Sequence, residues 1–285
     1  MSALPRSETR KSASAESLRE HRTTARFLQA RKRRGERFTM LTAYDYPFAR
    51  IFDEVGIDIL LVGDSLANVV QGLDNTLPVS LDEMVYHTRM VARAARRALV
   101  VGDMPFGSYQ VSAEDALRSA LRLVKEGGAH AVKLEGGVGV AGTIRRIVGA
   151  EVPVMGHIGL TPQAIHRMGG YRVQGRGQAE RSRLLHDARA VEESGAFAVV
   201  LEGMPADLAC EITEALRIPT IGIGAGVGCD GQVLVMHDML GLSDGFAPSF
   251  VKQYVSLGPL VAQAARSFAD DVANAKFPGP EHSYR

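Results

Sequence analysis

The chain has 285 residues, 46% of them hydrophobic and 23% charged, and a formal net charge of +1. These are ordinary values for a globular protein with a substantial core, and a charge balance this close to neutral gives no support to a nucleic-acid partner. The two cysteines, Cys210 and Cys229, form neither a metal-ligand spacing nor a disulfide framework, so we expect both to be reduced in a cytoplasmic protein.

The first residues of the chain have a composition of their own. Residues 1–36 are rich in arginine and lysine, and they include Glu8, Glu16 and Glu20 but no apolar stretch. A secretory signal needs an apolar core, so this segment does not match one. We predict a disordered leader over residues 1–22, followed by a single domain over residues 23–285. No window of the chain holds the ~18 apolar residues that a membrane span requires.

Eight short apolar segments, nearly all of them followed by a helical segment, make up most of the remaining chain. The predicted strands cover residues 38–43, 59–62, 97–103, 129–135, 153–157, 196–202, 218–224 and 232–236. Helices are predicted over residues 24–34, 45–55, 80–97, 112–127, 179–194, 205–216 and 251–275, with one more ending near residue 148. This alternation predicts an α/β protein, a (β/α)8 TIM barrel with an N-terminal helix and a C-terminal helical segment.

The main alternative fold is a doubly wound sheet. Such a sheet would normally carry a nucleotide-binding fingerprint after its first strand, and residues 43–45 do not match one. Residues 222–226, Gly-Ile-Gly-Ala-Gly, resemble a phosphate-binding loop only weakly, and their glycines could serve close packing instead. Two long irregular segments, 65–79 and 169–177, are uncommon in a compact domain unless they cover a site.

Four predicted strands end at an acidic residue that directly follows apolar positions. These acids are Asp64, Asp103, Glu135 and Glu202. Because the carboxyl ends of barrel strands meet at one mouth, the four side chains should gather there. Carboxylate oxygens suit Mg²⁺, which typically takes one or two protein carboxylates and keeps waters or substrate oxygens. Each acid alone could instead cap a helix or pair with an arginine, but the set favours a divalent cation and acid–base chemistry.

Three residues extend this chemistry. Lys133 precedes Glu135 by two positions, so both side chains lie on one face of the strand, where the lysine could bind a substrate anion or form a structural ion pair. His157 could donate to a keto oxygen or tune the metal site, although a lone histidine is more often structural. Glu202 ends an entirely apolar run, and an apolar environment disfavours a charged carboxylate, which suits a general base.

Several longer stretches resemble the ketopantoate hydroxymethyltransferase family. They are Leu-Thr-Ala-Tyr-Asp-Tyr (41–46), Leu-Val-Gly-Asp-Ser (61–65), Asp-Met-Pro-Phe (103–106), Val-Lys-Leu-Glu-Gly-Gly (132–137), Gly-His-Ile-Gly-Leu-Thr-Pro-Gln (156–163), the glycine-rich segment 169–177, Gly-Ile-Gly-Ala-Gly (222–226) and Asp-Gly-Gln-Val-Leu-Val (230–235). The likeness runs from about residue 24 to residue 283. Mild departures occur in 163–166, where Ser and Asn are more usual in the family, and at 203–204.

The resemblance implies Mg²⁺-dependent transfer of a hydroxymethyl group from 5,10-methylenetetrahydrofolate to 3-methyl-2-oxobutanoate. The product would be 2-dehydropantoate, in the first step of pantothenate and coenzyme A synthesis. The implied metal ligands are Asp64, Asp103 and, directly or through water, Glu135. The implied substrate-binding residues are Asp64, Ser65, Asp103, Lys133 and His157. Glu202 matches the proton acceptor of the family, and a homo-oligomer, a decamer, is implied as well.

Two other functions remain open. One is a different Mg²⁺-dependent lyase or aldolase that acts on a 2-keto acid, of the phosphoenolpyruvate mutase and isocitrate lyase type. The lyases of that type should carry a catalytic cysteine in a loop at the mouth, and neither Cys210 nor Cys229 has a matching context. The other is a catalytically silent barrel that acts as a binding protein. Such a protein should lack one of the metal-binding carboxylates or the catalytic base, whereas all four acidic residues are present.

Overall fold

The computed structural model describes residues 22–170, 172–243 and 248–284. The predicted leader over residues 1–22 lies, except for Arg22, outside the described residues. The chain divides into two compact units, Met1–Leu234 and Val235–Arg285. One domain over residues 23–285 therefore stays a prediction. Within the described residues, no helix combines the length and the apolar character that crossing a membrane demands.

Eight parallel strands close into a barrel in the first unit, in the order in which they follow one another along the chain. The strands are β1 (Phe38–Thr42), β2 (Ile59–Val62), β3 (Leu99–Asp103), β4 (Ala131–Glu135), β5 (Val154–Gly159), β6 (Ala198–Glu202), β7 (Thr220–Ile223) and β8 (Gly231–Leu234). The barrel closes where β1 pairs with β8. The predicted α/β class and (β/α)8 barrel are confirmed, although β5 continues past His157 to Gly159 and β8 begins one residue before its predicted start.

In the described residues, one helix precedes β1, at least one helix follows each of the strands β1 to β6, and β7 leads to β8 without a helix between them. In the first unit the helices are α1 (Ala25–Arg33), α2 (Tyr46–Glu54), α3 (Leu66–Val69), α4 (Leu81–Ala94), α5 (Ala113–Lys125), α6 (Ala141–Val148), α7 (Ile165–Met168), α8 (Gln178–Glu193) and α9 (Ala206–Ala215). Short 3₁₀ turns cover Val138–Val140 and Pro162–Ala164. The second unit contains α10 (Met236–Leu240), α11 (Leu257–Ala273) and a 3₁₀ turn at Pro280–His282.

Two helical predictions were too long. Helix α4 begins at the predicted capping box, in which Ser80 and Glu83 exchange hydrogen bonds, but it ends at Ala94 rather than at residue 97. The buried carboxylate of Asp53 accepts the backbone N–H groups of residues 96–98 at 2.7–3.0 Å, and this draws the chain out of the helix. Helix α11 likewise covers less than the predicted 251–275, beginning at Leu257.

The predicted irregular segment 65–79 contains a short helix. Its first turn forms α3, in which Leu66 and Ala67 are fully buried. Burial of these two apolar side chains stabilises a helical turn that the polar and glycine-rich sequence around it does not predict. The second irregular segment, 169–177, has no helix or strand in its described residues.

The barrel interior is filled by alternate residues of the strands. Buried side chains such as Met40, Ile59, Val101 and Met155 form one cluster, joined by Leu28 from α1. Successive side chains of a strand point to opposite faces, so every second residue of each strand reaches this cluster. The packed interior gives the mouth of the barrel a rigid support.

Helix α1 closes the amino-terminal end of the barrel. Its Arg31 lies 2.5 Å from Asp58, directly before β2, and its Lys32 lies 2.9 Å from Asp230, directly before β8. Between these anchors Leu28 is fully buried in the interior cluster. The helix is therefore part of the barrel core and not a separate appendage.

Replacing Leu28 by alanine should lower stability by about 2–5 kcal/mol, because it leaves a cavity at the closed end of the barrel. Chemical denaturation at one fixed protein concentration would measure the shift in midpoint. Arg26→Ala, at an exposed position of the same helix, serves as the control and should leave the midpoint nearly unchanged. Equal midpoints for the two variants would show that α1 does not contribute to the core.

Candidate active site

The interior side chains change from apolar to charged towards the carboxyl ends of the strands. On β3 the inward sequence runs through Leu99 and Val101 to Asp103, and on β4 it runs from Ala131 to Lys133 and Glu135. The same step of two residues takes β5 from Met155 to His157 and takes β6 through Val200 to Glu202. The alternation that fills the core therefore also delivers a charged layer to the barrel mouth.

A buried ion pair lies at the centre of this layer. Asp103 and Lys133 are register partners on adjacent strands, and the lysine Nζ lies 2.7 Å from both carboxylate oxygens. Their side chains are 2% and 5% exposed. Burial raises the pKa of Asp103, and the Lys133 ammonium opposes that rise. Burial alone would lower the pKa of Lys133, but the surrounding carboxylates, led by that of Asp103, raise it overall, so the lysine stays charged.

Asp64 joins this pair from the loop after β2. Its backbone N–H donates to Asp103 at 3.3 Å, and its own carboxylate accepts a hydrogen bond from Gln163 at 2.9 Å. Ser65 follows it and shares a hydrogen bond of 2.8 Å with the Tyr44 hydroxyl. The two predicted metal ligands Asp64 and Asp103 are therefore in direct contact, with Ser65 beside them.

His157 lies between two acids in the same layer. Its Nδ1 is 3.4 Å from Glu135 and its Nε2 is 3.1 Å from Glu202, which are ion-pair distances without hydrogen-bond alignment. Burial and the charge of Lys133 lower the pKa of His157, but the two carboxylates outweigh them and raise it to about 9. At neutral pH the imidazole is therefore a cation that bridges Glu135 and Glu202.

The two acids beside His157 differ in burial. Glu135 is a register partner of His157 and its side chain is 4% exposed, against 16% for Glu202. Burial raises the pKa of Glu135, and contact with His157 limits the rise. Gly159 brings Glu202 close, because its φ is +97° and an added Cβ would lie 2.2 Å from the Glu202 carbonyl oxygen. Any other residue at 159 would displace the Glu202 backbone.

Gln163 links the two halves of the layer, and sequence reasoning did not single it out. Its side-chain amide donates to Asp64 at 2.9 Å, and its backbone N–H donates to Glu135 at 3.1 Å. Its amide oxygen accepts from the Tyr109 hydroxyl at 2.6 Å. Burial and the charge of Glu135 raise the pKa of Tyr109, so that the hydroxyl remains a donor. The sequence signals were the position of Gln163 at the end of a family-like stretch and at the start of the departure from the family pattern in residues 163–166.

All predicted site residues thus meet at one end of the barrel. The connected residues are Asp64, Asp103, Lys133, Gln163, Glu135, His157 and Glu202, and Ser65 is bonded beside them. Four carboxylates face two basic groups, which leaves two surplus negative charges when all are ionised. Within residues 22–170, 172–243 and 248–284, no three His, Cys, Asp or Glu side chains are arranged to enclose a metal ion.

A cavity adjoins this layer. It has a volume of about 390 Å³ and is lined by loops that follow β2, β3, β4 and β5. Glu135 and Gln163 form part of its wall, together with Phe106, Gln110 and Arg167. We call this cavity the side pocket.

The glycine-rich segment 222–226 is explained by packing. Gly226 has a φ of +77°, and an added Cβ would lie 2.4 Å from the Cβ of Ala206 at the start of α9. At Gly222 an added Cβ would lie 2.9 Å from the buried sulfur of Cys229. These close approaches by themselves explain why glycine is needed at both positions, so the segment does not have to bind phosphate to account for its glycines. Cys229 and Cys210 are both free thiols, as predicted.

Comparison with known proteins decides the family. The sequence profile described as ketopantoate hydroxymethyltransferase matches residues 22–280. The chain belongs to the ketopantoate hydroxymethyltransferase family. The 3-methyl-2-oxobutanoate hydroxymethyltransferase of Syntrophotalea carbinolica is 59% identical over 263 residues, which cover 92% of this chain and 98% of that protein. The protein of the same name from Geobacter metallireducens is 60% identical over 257 residues, covering 90% and 96%.

Family membership confirms the predicted enzyme class, a hydroxymethyltransferase that acts on 3-methyl-2-oxobutanoate.

Solved structures share the barrel at much lower identity. A phosphonopyruvate hydrolase complex with oxalate and Mg²⁺ has a TM-score of 0.61 at 13% identity and covers 91% of this chain and 93% of its own. A 2,3-dimethylmalate lyase, of the phosphoenolpyruvate mutase and isocitrate lyase superfamily, has a TM-score of 0.58 at 17% identity and covers 90% and 87%. This likeness shows a common fold and gives no support to the alternative lyase activity.

Substitution of Gln163 by leucine should lower kcat about 10- to 100-fold, because Asp64 loses a donor and the Tyr109 hydroxyl loses its acceptor while the volume is kept. Steady-state turnover of 3-methyl-2-oxobutanoate measures the effect. Gln71→Leu is the matched control, since Gln71 also donates to a carboxylate, that of Glu83, outside the layer. A wild-type kcat for Gln163→Leu would remove this residue from the working site.

Proposed function

We propose that the enzyme transfers a hydroxymethyl group from 5,10-methylenetetrahydrofolate to 3-methyl-2-oxobutanoate. The product is 2-dehydropantoate, in the first step of pantothenate and coenzyme A synthesis. The observation that carries the proposal is the buried, connected layer of four carboxylates, one lysine and one histidine at the barrel mouth, in a chain that shares about 60% identity with enzymes of this name.

The charged layer fits a magnesium ion. One carboxylate oxygen of Glu135 is buried without a hydrogen-bond donor, and the surplus of negative charge matches one divalent cation. Mg²⁺ commonly binds one or two protein carboxylates and completes its shell with waters and substrate, so three enclosing side chains are not needed. Asp64 and Asp103, which are joined by the hydrogen bond from the Asp64 backbone N–H to the Asp103 carboxylate, would hold the ion, and Glu135 would act directly or through water.

The cation, when bound, would polarise the keto group as a Lewis acid. The Lys133 ammonium has three N–H donors. Two of them bind the two carboxylate oxygens of Asp103, and the third is available to the keto acid. Ser65, held by Tyr44, supplies a hydroxyl beside Asp64 for the same substrate. These residues orient the keto acid with its C3 towards the remaining acid of the layer.

Glu202 is the proposed base. It is the least buried of the acids beside His157, and the imidazolium holds its carboxylate at 3.1 Å. Glu202 takes the proton from C3, and the resulting carbon nucleophile forms a bond to the methylene carbon of the donor. That carbon is first released from the donor: water adds to it, its two bonds to nitrogen break, and the two protons of the water pass to those nitrogens, so that tetrahydrofolate leaves and the carbon is at the oxidation level of formaldehyde. Formation of the carbon–carbon bond then gives an alkoxide, which takes the proton back from Glu202 and becomes the hydroxyl group. Position and charge, and not a covalent intermediate on the enzyme, carry the catalysis.

We also propose that the enzyme self-associates. The family resemblance implies a decamer. The final helix, α11, has no buried residue and exposes large apolar side chains that are usually covered in an assembly. These side chains are Leu260, Val261, Phe268 and Val272. We also place the enzyme in the cytoplasm, which the two free thiols favour.

Glu202→Gln should slow exchange of the C3 hydrogen of 3-methyl-2-oxobutanoate with solvent deuterium by about 100-fold or more, since the amide cannot accept the proton. Proton NMR in deuterated water with Mg²⁺ present follows this exchange without the folate donor. Glu54→Gln, at an exposed position on α2, is the control and should exchange at the wild-type rate. Unchanged exchange in Glu202→Gln would assign the base to another group.

A further inference from the structure

The side pocket lies next to the keto-acid site but contains few of its groups. Among the residues that the structure describes, Glu135 and Gln163 belong to both, and the Asp103–Lys133 pair is not part of the pocket wall. Gln163 lines the pocket and donates its side-chain amide to Asp64 at 2.9 Å. A molecule in the side pocket would therefore approach a keto acid held at Asp64 from the side of Gln163.

The surface of the pocket wall is almost entirely apolar, and the wall carries a flat aromatic side chain. Phe106, in the loop after β3, is 48% exposed, and Val140, after β4, also lines the pocket. A large exposed aromatic ring at a concave surface is typical of a ligand site, because stacking on a planar ligand would cover it. The volume of about 390 Å³ is within the range of small-molecule sites.

The few polar groups that line the pocket fit a ligand with a hydrogen-bond acceptor and an anionic end. The amide oxygen of Gln110 already accepts the Gly107 N–H at 2.7 Å, and its amide nitrogen donates to Gln163 at 3.4 Å, so Gln110 can offer a ligand its second amide N–H. Arg167 is exposed at the pocket and forms no ion pair with any carboxylate in the described parts of the chain. An unpaired guanidinium is suited to bind a carboxylate in bidentate fashion.

We propose that the side pocket is the binding site of the one-carbon donor, with Phe106 stacking on the pterin ring and Arg167 binding the glutamate carboxylates. This inference rests on the proposed function, which requires a reduced folate. A reduced folate combines a planar heterocycle, hydrogen-bond acceptors on the edge of that heterocycle and an anionic tail, which match Phe106, Gln110 and Arg167 in turn, while its apolar linker matches the apolar wall at Val140. The wall shared with the keto-acid site lets the methylene carbon reach the substrate C3.

Two variants test the pocket, Phe106→Ala and Arg167→Glu. Each should raise KM for 5,10-methylenetetrahydrofolate at least about tenfold, through lost stacking or reversed charge, which corresponds to roughly 1.4 kcal/mol of binding. Exchange of the C3 hydrogen with deuterium needs no donor, so its rate reports whether the keto-acid site remains intact. The fold-increase in KM for the donor should be about ten times larger than any fold-decrease in the rate of C3 hydrogen exchange.

Arg118→Ala, at a largely exposed arginine on α5 outside the pocket, is the control and should keep the wild-type KM. A wild-type KM for the donor in both pocket variants would overturn the inference. A loss of exchange equal to the loss of transfer in both variants would overturn it too, because the defect would then lie in the keto-acid site. A wild-type enzyme that exchanges the C3 hydrogen but does not use the folate would instead refute the proposed function.

Discussion

The buried contact between Lys133 and Asp103 allows a charged layer to exist inside this barrel. A carboxylate that is almost fully buried would be strongly destabilised without a partner, and removal of one member of such a pair typically costs about 3–5 kcal/mol. The two residues are neighbours in the sheet register, so the barrel itself brings them together. With the Asp103 charge retained, Asp64 can lie against it and the site remains attractive to a cation.

Residues that stabilise the barrel and residues proposed to take part in the reaction lie at different levels along the barrel axis. At the amino-terminal end, Leu28 and the ion pairs of α1 close the interior, and apolar residues fill the middle. The last inward positions of β3 to β6 are charged, and loops above them add Gln163 and the side pocket. Two surplus negative charges in a layer this dry are unfavourable in the folded chain alone, so the site is arranged for binding rather than for maximal stability.

Much of this arrangement was predictable from the sequence. Buried parallel strands are continuous apolar runs, so the barrel and the acids that end its strands could be found without a structure. Gln163 could not, because its importance depends on a loop after β5 that folds back over residues distant in sequence. The early end of α4 was missed for the same reason, since the carboxylate of Asp53 reaches it from a different helix. Contacts between distant segments leave no local pattern.

The central claim is that carboxylates gathered at the barrel mouth hold a divalent cation together with the keto acid. Calorimetric titration of Mg²⁺ into the enzyme with 3-methyl-2-oxobutanoate present tests it most directly, with Asp64→Asn as the variant. Asparagine keeps the shape of Asp64 and leaves the Asp103–Lys133 pair intact, so folding should be preserved. The account predicts stoichiometric binding by the wild type and an affinity at least about tenfold weaker for the variant. Equal affinities, or no binding by the wild type, would contradict it.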